Sequence, residues 1–143
     1  MIVKKLPYRT INFVAPKYMK KVALFLTAFV AVEHIGILIL EMFFWDHPFG
    51  RKVFGMTPEF SSTSAVLAMN QGLYNGFLAA GTILGLVSGR RDIKLFFLTC
   101  VVIAGIFGGL TAKTSILLTQ ALPAFVALVF VLLSERTSHR SAA

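Results

Sequence analysis

Four apolar stretches separated by short polar turns organise the chain: Val22 to Trp45, Ala65 to Val87, Ile93 to Leu110 and Ser115 to Leu133. Each has the length of a bilayer-crossing helix, which needs roughly 20 predominantly apolar residues. The first is interrupted by Glu33, His34 and Glu41. At about 100° per residue, His34 and Glu41 fall within about 20° of each other, with Trp45 near the same line and Glu33 roughly a quarter turn aside. The second stretch is interrupted only by the uncharged Asn70, Gln71, Tyr74 and Asn75, whose spacings place them on one broad face. Gly72 with Gly76, and Gly81 with Gly85, repeat a small-xxx-small spacing that suits close helix approach, either within one chain or in a homodimer through those glycine-spaced faces. The fourth carries Gln120 and Pro123 near its start, with Lys113 just before it.

The connections differ in character. Asp46 to Ser64 holds Pro48, Gly50, Gly55 and Pro58, and Thr57 followed by Pro58 and Glu59 reads as a helix start, as do Ser61 to Ser64; a short surface helix fits this loop. Ser88 to Asp92 is a brief turn. The expected organisation is a basic interfacial tail over residues 1–18, broken by Pro7 and Pro16, a four-helix membrane domain over 19–134 and a polar tail over 135–143. The fold class is all-α, a four-transmembrane-helix bundle with a surface segment at the N-terminus and a partly helical first loop.

Composition agrees, since 57% of the 143 residues are hydrophobic, too many for an ordinary soluble domain of this size. The net charge of +8 does not argue for nucleic acid, because Lys and Arg gather at the ends of apolar runs rather than on one face. They read as topology signals and anionic-lipid contacts. The N-terminal tail, the second loop and the C-terminal tail are richer in Lys and Arg than the first and third loops, so both termini are expected in the cytoplasm. Cys100 stands alone in an apolar run, which rules out an internal disulfide. The first apolar run is too long and too acidic for a cleaved signal peptide and reads as a signal anchor. No cofactor motif is present, and Glu and His lack the three-residue spacing of carboxylate metal bundles, so no metal is expected at Asp46, His47, His34 and Glu41.

With that topology the embedded polar groups gather in the outer half. His34 lies about 17 Å deeper than Trp45, and Asn70 and Asn75 lie about 8 and 15 Å below the outer end of their helix. The inner half is almost wholly apolar, so the bundle is expected to form a cup open to the outside. Ligand-binding candidates are Trp45, Asn70, Gln71, Tyr74, Asn75, Lys113 and Gln120. Glu41 and His34 are an acid/base pair if the protein is an enzyme, although about 10.5 Å of helix separates them, so a substrate would lie between. Glu41 can instead pair with Lys113 or Arg51, His34 can simply pack, and the amides can be interhelical glue at roughly 0.6 kcal/mol each.

The runs LEMFFWDHPFGRKVFGMTPEF (Leu40 to Phe60), AMNQGLYNGFLAAG (Ala68 to Gly81) and SILLTQALPAFVAL (Ser115 to Leu128) resemble those of the small bacterial membrane family known as Domain of Unknown Function 1304. The resemblance implies a four-span protein of a bacterial inner membrane. It places Glu41, Trp45, Arg51, Phe54, Thr57, Asn70, Gln71, Tyr74, Asn75, Gln120 and Pro123 in the family pattern. Members sometimes carry the label "epimerase". Three functions follow as expectations: binding or transport of a small amphipathic molecule, a membrane-embedded isomerase or epimerase using Glu41 and His34, and a non-catalytic membrane assembly factor. Transport is disfavoured by an inner half without a broken helix.

Overall fold

The computed structural model describes residues 16–134; the expected interfacial segment before Pro16 and the polar tail from 135 lie outside the described residues. Within them the chain is helical throughout: α1 (Lys17–Phe43), α2 (Pro48–Phe54), α3 (Pro58–Val87), α4 (Arg91–Thr111), a π-helical turn (Leu117–Ala121) and α5 (Leu122–Ser134) that continues from it. Three helical units are long and apolar enough to cross a membrane: Lys17–Phe43, Arg91–Thr111 and Leu117–Ser134. With 30 residues α3 is longer than any of these, yet its amides and its Ser/Thr-rich start keep it less apolar.

Local chemistry sets the boundaries. Thr57 caps α3 by accepting the Phe60 backbone N–H, with Pro58 in the first turn where its missing N–H costs nothing. Of the two expected helix starts the first is the one used, and Ser61 to Ser64 join the helix instead of opening it. His47 caps α2 through its ring Nδ1, and Gly55 ends α2 at a positive φ of 70°, a conformation that glycine adopts without steric penalty. The π turn lies immediately before Pro123, where a residue without an N–H disturbs the regular ladder.

The long helices pack in a closed order: α1 against α3 and α5, and α4 against α3 and α5. Glycines set how closely. Gly72 and Gly76 bring α3 onto α1, where an added methyl at Gly72 would lie 2.6 Å from Met42 Cγ and 3.2 Å from the Leu38 carbonyl oxygen. Gly81 and Gly85 face Phe97 and the Ile93–Lys94 backbone of α4. Gly105 sits on the Ala121 backbone, and Gly109 faces Leu117. The paired glycine spacings of α3 are thus occupied within the chain and are not left free as dimer faces. The core contains small residues beside a few larger ones, with Ala23, Val30, Leu98, Val101, Ala124, Ala127 and Val131 forming its main cluster. Large side chains such as Phe25, Phe29, Val32, Phe96, Phe107 and Leu110 face outward. Small residues inside and bulky apolar ones outside is the pattern of helices solvated by lipid.

Candidate functional site

The chemistry gathers where α1 ends and α3 begins. Phe44 to Thr57 doubles back across that end, and two side-chain hydrogen bonds to α3 hold it there. Ser61, fully buried, donates its hydroxyl to Asp46 Oδ1 at 2.5 Å. Trp45 Nε1 donates to Ser64 Oγ at 2.9 Å, and the Trp45 and Phe54 rings lie 4.8 Å apart. Gly50 is buried against the carbonyls of Phe44 and Trp45, a contact that any side chain would prevent.

One turn below Trp45, Glu41 and Asn75 join the two helices. The Asn75 carboxamide donates to Glu41 Oε2 at 2.8 Å, and its Nδ2 also lies 3.2 Å from the Gln71 carbonyl oxygen. Gly72 lets α3 approach closely here, since an added methyl would lie 3.1 Å from the Glu41 Cβ. Beside this pair opens a cleft of about 320 Å³. It is lined by Glu41, Trp45, Asp46 and His47 together with Met42, Phe43, Ala65, Val66 and Met69. A lining that mixes polar and apolar side chains suits an amphipathic guest. Among the described residues no group of three His, Cys, Asp or Glu side chains is placed to hold a metal ion.

The remaining candidates sit elsewhere. His34 is buried at 1% exposure, with Nδ1 2.9 Å from the Val30 carbonyl oxygen. Since a carbonyl only accepts, the proton is on Nδ1, and in the neutral ring Nε2 is a bare acceptor with no protein partner. Glu33, next to it, also has one buried oxygen, Oε2, without a protein partner. Neither residue lines the cleft, so Glu41 and His34 do not share a chamber there. Asn70, Gln71 and Tyr74 are exposed on α3, Lys113 is exposed in the α4–α5 connection, and Gln120 is half-buried in the π turn. Of the sequence candidates, the structure brings together Glu41, Asn75 and Trp45. It adds Asp46, His47, Met42, Val66 and Met69, which carried no readable spacing, and the anchoring serines Ser61 and Ser64, which read only as helix-start residues.

Comparison with known proteins gives a family and a relative. Residues 28–132 match the model of the family described as "Protein of unknown function (DUF1304)". The chain is 33% identical over 108 residues to the "Uncharacterized protein YpaA" of Lactococcus lactis, covering 73% of this chain and 91% of that one. No solved structure matches it.

Proposed function

The chain belongs to the DUF1304 family, and from that premise we propose that it is a small four-span membrane protein whose cleft between α1 and α3 binds a small amphipathic molecule at the outer surface. The single observation that carries this reading is the cleft itself, lined by the polar Glu41, Asp46, His47 and Trp45 together with the apolar Met42, Val66 and Met69. Two carboxyl side chains and an imidazole in the lining favour a head group that donates hydrogen bonds, above all an ammonium. The apolar side chains favour a short hydrocarbon body. In this reading α3 also crosses the bilayer, its amides tolerated because Asn75 is paired with Glu41. The basic ends of the chain place Trp45 and the cleft outside, by the same distribution of Lys and Arg that orients other membrane proteins.

Binding is favoured over a Glu41/His34 acid/base pair because the cleft contains Glu41 without His34. The test is a thermal-shift screen of the purified protein in detergent against cationic and neutral amphiphiles, run alongside Met69→Trp, which fills the cleft. A ligand at 100 times its Kd stabilises by about 2.7 kcal/mol, so a true ligand raises the Tm of the parent protein by several degrees and leaves Met69→Trp unmoved. A broad panel in which no compound stabilises the parent protein overturns the reading.

A further inference from the structure

One exposed line on α3 is not accounted for by the cleft. Phe60, Thr63, Leu67, Asn70, Tyr74 and Phe77 follow one another at spacings of three and four, and every one of them is exposed. Those spacings keep the six on one face of the helix, the arrangement that a seam with a second helix uses. Asn70 and Tyr74 stand two residues either side of Gly72, so each lies about 160° around the helix from the point that touches α1. Below this stretch, Gly81 and Gly85 are covered by α4. Above it the line stays open, Tyr74 being 52% exposed with its ring edge-to-face on Phe77 at 6.3 Å.

We propose that this line is the contact surface for a second copy of the chain, α3 against α3 about a two-fold axis parallel to the helices. The inference rests on the reading that α3 crosses the bilayer and does not depend on the ligand cleft, whose residue Met69 lies about 100° around the helix from Asn70. Carboxamide and phenol groups left facing hydrocarbon go without hydrogen-bond partners, which costs several kcal/mol per group. The two neighbours of α3 inside the chain leave this line uncovered, so the partner comes from outside. Two copies inserted in the same topology run parallel, and each residue meets its twin at the same depth. Such an arrangement selects side chains that can pair with themselves. Asn70 and Tyr74 each donate and accept and carry no charge, whereas a carboxylate or ammonium in their place would meet its own sign. A lone Asn in a 3.5-residue seam is also the device that holds parallel helices in register. Leu67 and Phe77 flank the polar pair with apolar packing.

Single cysteines at seam positions, Leu67→Cys and Phe77→Cys, and at off-seam positions, Ala80→Cys and Leu110→Cys, placed in a Cys100→Ala background and oxidised in native membranes, test it. Disulfide-linked dimers from both seam variants and not from the off-seam variants are expected. Asn70→Ala, measured by light scattering in detergent, is expected to shift the protein severalfold toward monomer while its thermal transition persists. Crosslinks absent from the seam, or equally abundant at all four positions, overturn the dimer and leave the cleft untouched. A monomer that retains a bound lipid-like molecule protected by the seam overturns it in favour of a small ligand on this face.

Discussion

The Glu41 carboxylate accepts a hydrogen from Asn75 across the α1–α3 contact, and that bond is the point at which membrane packing and site chemistry meet. Hydrogen bonds between membrane helices couple by about 0.6 kcal/mol on average and by up to about 1.7. A double-mutant cycle of Glu41→Gln and Asn75→Leu, read by unfolding in detergent, is expected to return a coupling in that range; strict additivity would mean that the two side chains do not meet. Ser61→Ala removes the hydroxyl that holds Asp46 and is expected to destabilise the protein by about 1–2 kcal/mol, measured as a drop in Tm. An unchanged Tm would show that the Asp46 carboxylate is satisfied without it. The sequence pointed to Glu41, Asn75 and Trp45 because a carboxylate, an amide and an indole stand out against an apolar background. It could not pair Glu41 with Asn75 over Lys113 or Arg51. That choice depends on Gly72 bringing one backbone close to another, and helix phase within a single segment does not report which neighbour it faces.

At the level of elements, glycine decides which helices touch. Their contacts differ in kind, and so should their tolerance. An added methyl at Gly105 would lie 2.7 Å from the Ala121 backbone nitrogen, whereas at Gly76 it would meet the tip of Leu38, which can rotate. Gly105→Ala is therefore expected to cost about 1–3 kcal/mol through overpacking. Gly76→Ala should be near neutral, since Ala regains up to about 1 kcal/mol of helix propensity. Thermal melts of the two variants in one detergent check the order, and a larger loss at Gly76 would contradict the packing described. Four apolar stretches were legible from hydropathy, and α1, α4 and the Leu117–Ser134 unit are apolar enough to cross a membrane in spite of Glu33, His34 and Glu41 in α1. The start of α3 was less legible. Thr57 to Glu59 and Ser61 to Ser64 both read as helix starts, and the Thr57 side chain bonding Phe60 N–H decides for the first. The π turn at Leu117–Ala121 left no trace beyond Pro123.

For the whole molecule, the proposed crossing by α3 predicts which connections share a side. In a Cys100→Ala background, Lys52→Cys should react with a membrane-impermeant thiol reagent in intact cells, and Ser88→Cys only after permeabilisation. Equal labelling of both would leave α3 on one side of the bilayer. If α3 crosses as proposed, the cleft lies at one end of the bundle, where Phe44 to Thr57 folds over the junction of α1 and α3. The most direct test of the central claim is native mass spectrometry of the protein released from its own membranes, comparing the parent chain with Met69→Trp. A discrete added mass of a small amphipathic molecule on the parent, lost from Met69→Trp while the fold is retained, is the predicted result; the same bound masses on both proteins would contradict a binding site in the α1–α3 cleft.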